Sequence, residues 1–118
     1  MTQSIKVTEK GQPFRIATDF DMSGSTGLQI AFTAPPGGTD FTVTQATTPA
    51  VSAPAVALTN NAGFNPVRSV SASEYLEYTT DGTEFDVAGE WTACGQYTDA
   101  SLNLKAALVT FTIGAECS

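Results

Sequence analysis

Carboxylates are the side chains of this sequence best suited to chemistry. Asp19 and Asp21 stand two apart, and Asp81, Glu84 and Asp86 crowd together just ahead of Trp91. Oxygen donors so spaced suit Ca²⁺, and a pair of carboxylates is what glycoside hydrolysis requires. The same residues also start turns, because an Asp side chain bonds backbone two residues on. The turn reading is the simpler one, so no catalytic residue, metal or cofactor is expected and the chain is not expected to be an enzyme. The sequence contains no His, which removes Ser-His-Asp and Cys-His catalysis and His-ligated zinc. Two cysteines, Cys94 and Cys117, are too few for a four-thiolate zinc site. No glycine-rich phosphate loop occurs, and Ser23-Gly24-Ser25 lacks the flanking glycines of a nucleophile elbow.

The elements around these residues read as strands. Phe85 to Tyr97 holds the only Trp. From Trp91 on, alternate residues Trp91, Ala93, Gly95 and Tyr97 share one face, and Glu90, Thr92, Cys94 and Gln96 the other. That period of two marks a half-buried strand. Cys94 lies three residues after Trp91, on the opposite face, which disfavours an antibody-type bridge across a core. Free thiols are expected, although Cys94 and Cys117 can pair if the last two strands are neighbours.

Earlier in the chain, Ile5–Thr8 predicts a short first strand, broken at Lys10-Gly11-Gln12-Pro13. Phe14–Phe20 follows, with Phe14 and Ile16 facing inward. Leu28–Ala34 and Phe41–Gln45 predict a hairpin closed by Pro35-Pro36-Gly37-Gly38. Between Ala46 and Val70 three prolines argue against a central strand. Val56–Leu58 fits an edge strand there, and Asn60–Pro66 an exposed loop. Ser69–Thr80 predicts one strand, Asp81-Gly82 a turn, and Leu104–Ile113 a closing strand with Val109, Phe111 and Ile113 inward. Short strands at this spacing, with no helical period, predict an all-β antiparallel sandwich.

The 118 residues make one domain, 1–118, that needs neither metal nor disulfide to fold. Charged residues are only 14 %, below the roughly 25 % of ordinary domains, and the net charge is −7. Without a basic footprint, neither nucleic acid nor an anionic membrane is an expected partner. The opening M-T-Q-S-I-K-V-T has no apolar segment of signal-peptide length, so cytoplasmic synthesis is expected. No charged residue occurs between Phe41 and Val67; such a stretch is covered either by the domain's own core or by a partner.

Several motifs resemble a known family. Asp21-Met22-Ser23-Gly24-Ser25-Thr26, the strand Leu28-Gln29-Ile30-Ala31-Phe32 and Pro35-Pro36-Gly37-Gly38 resemble the D-[LI]-S-G-A-T … P-D-G-T opening of small immunoglobulin-like proteins of tailed bacteriophages. Tyr78-Thr79-Thr80, then Asp86-Val87-Ala88-Gly89-Glu90-Trp91 and Thr110-Phe111-Thr112-Ile113, resemble their Y-T-T … D-x-x-G-x-W segment and closing strand. Ala46–Val70 departs from the family pattern, being longer and richer in Pro and Ala.

The resemblance implies an immunoglobulin-like sandwich of about seven to nine strands. It also implies a non-enzymatic virion protein, assembled in the host cytoplasm. Such a module would dock on the capsid, neck or tail as a decoration or adaptor protein, with self-association in a symmetric assembly. Baseplate upper proteins carry similar modules. The alternative is a receptor- or glycan-binding module of a tail or baseplate, with Ca²⁺ held by Asp81, Glu84 or Asp86. Phe64, Asn65 and Tyr78 are the expected partner-binding residues, and Phe41–Val67 the expected docking side.

Overall fold

The fold is described by a computed structural model, which places residues 5–6, 10–18, 21–23, 27–47, 50–61, 68–98 and 103–114. Phe64, Asn65, Asp19, Cys117 and the turn at 99–102 lie outside the described residues.

The strands are β1 (Ile5–Lys6), β2 (Lys10–Ala17), β3 (Gly27–Thr33), β4 (Phe41–Thr44), β5 (Leu58–Asn61), β6 (Arg68–Val70), β7 (Tyr75–Asp81), β8 (Gly89–Thr98) and β9 (Asn103–Gly114). A five-stranded sheet has the order β1-β9-β8-β3-β4, and β2 pairs with β7 in a second layer. Ser52 adds a bridge to Glu77 on that layer. All pairings are antiparallel except β1 with β9. This is an antiparallel immunoglobulin-like sandwich. Its β9-β8-β3-β4 order matches the G-F-C-C′ sheet of a variable-type domain, and β2-β7 matches the B-E pair of the facing sheet.

Alternation builds the core. Leu28, Ile30 and Phe32 of β3, Trp91 and Ala93 of β8, and Phe111 and Ile113 of β9 are buried, facing Phe14 and Ile16 of β2 and Leu76 and Tyr78 of β7. Phe14 meets Phe32 edge-on at 5.1 Å and Phe111 at 4.6 Å, so aromatic rings stitch the two layers together. Such pairs contribute about 0.5–1.5 kcal/mol each beyond their area. Trp91 is fully buried, packs on Phe85 at 5.1 Å, and donates its indole N–H to the Val87 carbonyl at 3.0 Å.

A second, smaller cluster lies on the opposite side of the β2-β7 layer. Ala17 and Tyr75, partners in register, turn away from the main core and are buried with Val70 against Leu58 of the β5-β6 hairpin. The Tyr75 hydroxyl donates to the Val56 carbonyl at 3.0 Å. One outer face of the sandwich is thereby covered by its own chain.

Three local expectations are corrected. The Lys10–Pro13 break is instead the start of β2. Gly11 takes a φ of 80° and the pairing with β7 shifts register there, so a bulge absorbs the irregularity. The Ser69–Thr80 strand is divided into β6 and β7, because Ser73 takes a φ of 60° and donates its N–H to the Pro54 carbonyl at 2.8 Å. The edge strand expected at Val56–Leu58 begins only at Leu58, and Val56 lies 62 % exposed.

Candidate functional site

The acidic turn after β7 is built around Glu84. Its Oε2 accepts the Tyr78 hydroxyl at 2.7 Å and the Asp81 N–H at 2.6 Å, while Oε1 accepts the Gly82 N–H at 3.1 Å. Asp81 Oδ1 accepts the Thr83 N–H at 2.9 Å and its hydroxyl at 2.6 Å. These bonds, the Thr83 hydroxyl first, hold the Asp81 carboxyl below the ordinary carboxylate range. Asp86 Oδ1 accepts the N–H of Thr39, from the β3-β4 connection, at 3.3 Å. The carboxylates therefore satisfy backbone donors that the turn would otherwise leave open. Asp21 does likewise, accepting the Ser23 N–H at 2.9 Å, a bond that lowers its pKa. Among the described residues no group of three or more His, Cys, Asp or Glu is arranged to hold a metal ion.

Tyr78 is corrected as a surface contact. Its ring lies in the main core, 6.3 Å from that of Phe32, and only its hydroxyl reaches the turn. Burial and then the bond to Glu84 push its pKa far above the ordinary tyrosine value. The β7 alternation that buries Leu76 and Thr80 carries Tyr78 inward with them. The other two expected contact residues, Phe64 and Asn65, fall outside the described residues.

Two further sets of exposed residues remain. The first runs through the Phe41–Val67 stretch. Phe41, Val43, Val51 and Ala53 are spent on the main core, whereas Thr42, Ala46, Ala50, Ser52, Ala55, Val56 and Ala57 are exposed. The domain's own core thus covers part of the segment and leaves the rest exposed.

The second surface is the outer face of the five-stranded sheet. Register places Thr42, Ala31, Cys94 and Leu108 side by side across four strands, flanked by a row of Thr33, Thr92 and Thr110 and by a row of Thr44, Gln29 and Gln96 that ends on the register position of Lys105. Gln29 donates to Gln96 at 2.8 Å across β3 and β8. Leu108 is 70 % exposed, and Cys94 carries a free thiol. Cys94 thus lies on the face away from Trp91, where its spacing puts it. Leu108 sits at the outward parity of β9, one residue before Val109. An apolar residue out of step with its strand was the available sequence signal for this face.

Comparison with protein families, with curated proteins and with solved structures finds no match to this chain.

Proposed function

We propose that this chain is a non-enzymatic structural module of a tailed-phage virion, docking on capsid, neck or tail protein as a decoration or adaptor. The observation that carries the docking reading is the exposed part of Phe41–Val67. In a chain of net charge −7, the residues exposed there among those described, Thr42, Ala46, Ala50, Ser52, Ala55, Val56 and Ala57, include no ionised group. Charge depletion of this kind belongs to the centres of protein interfaces. The phage-like motifs of the sequence supply the setting, and the consumption of the turn carboxylates by backbone donors favours binding over catalysis. Copies arrayed on a symmetric shell gain avidity even where each contact is weak. Glycan recognition through Tyr78 is less well supported, because that ring is inside the core.

Immunogold labelling of particles purified from the source lysate tests the proposal. Label over the head makes the major capsid protein the partner, and label at the neck or tail makes the chain an adaptor. Particles free of label, with the protein recovered only in the soluble fraction, overturn it.

A further inference from the structure

We propose that Asp81-Gly82 is a latent modification site, a peptide unit that isomerises to an isoaspartyl link when the turn opens, and that Glu84 is the residue that keeps it closed. The inference is independent of where the chain docks, since it concerns the turn after β7 alone.

The chemistry is intramolecular. The Gly82 nitrogen attacks Cγ of the Asp81 carboxyl and a C–N bond forms. The carboxyl hydroxyl and the amide proton leave together as water. The cyclic imide then takes water back at either carbonyl. One choice restores the original link, and the other gives an isoaspartyl link that runs through the side-chain carbons. No oxidant, reductant or second substrate takes part. A glycine after the Asp makes the attack easiest, because no Cβ shields its nitrogen. The sequence contains a single Asp-Gly and no Asn-Gly.

The turn itself requires this labile pair. Gly82 takes a φ of 96°, a conformation that a side chain would strain. The surrounding bonds offset the lability. Glu84 Oε1 accepts the Gly82 N–H at 3.1 Å, so the proton of the attacking nitrogen is directed at Glu84. Oε2 of the same carboxylate accepts the Asp81 N–H at 2.6 Å and so holds the other side of the reacting unit. Asp81 Oδ1 is tied to Thr83, through its N–H at 2.9 Å and its hydroxyl at 2.6 Å. Cyclisation must break the Gly82 bond to Glu84 and swing the Asp81 carboxyl off Thr83. The Thr83 bonds, the hydroxyl first, also lower the Asp81 pKa, which keeps the carboxyl ionised and its oxygen a poor leaving group.

Glu84 is anchored in turn. Its Oε2 accepts the hydroxyl of Tyr78, whose ring lies in the main core. The site therefore opens only when Glu84 gives up Tyr78 and both amides together. An isoaspartyl link adds a backbone carbon, so the same set of bonds cannot re-form and the opening is recorded permanently.

The test is incubation of the purified chain near neutral pH, with isoaspartate at residue 81 measured by peptide mapping with mass spectrometry. Each variant's rate is divided by its own rate in denaturant, which removes the effect of sequence on the chemistry. The folded parent is expected to isomerise at least about a hundredfold more slowly than the unfolded chain. Glu84→Ala, which removes an acceptor of charge-assisted bonds, should raise the folded rate at least about tenfold. Thr83→Val, at an exposed side chain that costs the fold little, should raise it about three- to tenfold. Leu28→Ala empties a buried core position and removes none of the turn's bonds, and should stay within about threefold of the parent. A folded parent as fast as the unfolded chain, a Glu84 variant no faster than the parent, or a Leu28 variant as fast as the Glu84 variant would each overturn the inference. The last outcome would mean that global unfolding, and not the turn, controls the reaction.

Discussion

Replacing Trp91 with Ala removes the largest side chain of the core. Trp91 has no solvent exposure, and its ring meets Phe85 at 5.1 Å and Phe41 at 6.0 Å. A buried Trp removes about 150–250 Å² from water, worth about 4–6 kcal/mol at about 25 cal/mol per Å². Alanine keeps part of that and leaves a cavity, so a cost of about 3–5 kcal/mol is expected. A domain of this length is stable by about 6–18 kcal/mol, so the variant should fold but lose a large share of its stability. With an unfolding entropy near 250 cal/mol/K for a chain of this length, Tm should fall by about 12–20 °C. Circular dichroism melts and denaturant titrations read the change, and the parent reports itself through its single Trp, whose emission shifts red on unfolding. Trp91→Phe keeps a ring but leaves the Val87 carbonyl without its donor, and should cost about 1–2 kcal/mol. A Trp91→Ala cost below about 1 kcal/mol would refute the register of β8 and the core built on it.

Three further outcomes are expected. Glu84→Ala strips acceptors from Tyr78, Asp81 and Gly82 and should cost about 2–3 kcal/mol, read as a Tm drop of about 8–12 °C; an unchanged Tm would mean the turn holds without that carboxylate. Gly89 takes a φ of 137°, and a Cβ there would lie 3.2 Å from Pro35, so Gly89→Ala should cost about 1–3 kcal/mol in chemical denaturation. Burial raises the Tyr78 and Tyr75 pKa values in the folded state. The unfolded chain therefore loses these protons first, and the contribution is present below about pH 10 and lost as pH rises above it. Spectrophotometric titration should find at least two tyrosines that ionise only with unfolding, and normal titration of all three while the fold persists would contradict their burial.

The strands legible in the sequence are those with one buried face and a clean period. In Leu28–Phe32, Trp91–Tyr97 and Val109–Ile113, alternation alone predicts what is inward. It fails where a residue is buried by something other than the facing sheet. Tyr75 has the outward parity of β7, and the β5-β6 pair covers it through Leu58 and Val70. Pro13 reads as a breaker, yet β2 pairs only with β7 among the described strands, where a missing N–H is tolerated on the open side. The acidic turn was legible as a turn. The convergence of three donors on Glu84 was not, since it depends on where β7 ends and on Tyr78 reaching out from the core. The outer sheet face needed register across four strands, which no local pattern contains.

The one parallel pairing has a mechanical consequence. Ile5 and Lys6 run alongside Ile113 and Gly114 in the same direction. Tension that draws the first strand backward and the last one forward slides them past each other, so their bonds are strained together and not peeled singly. The β3-β4 hairpin, off this line of force, bears none of that load. β1 is therefore a clasp: its two residues stand between an axial pull and the β9-β8 pairing behind them.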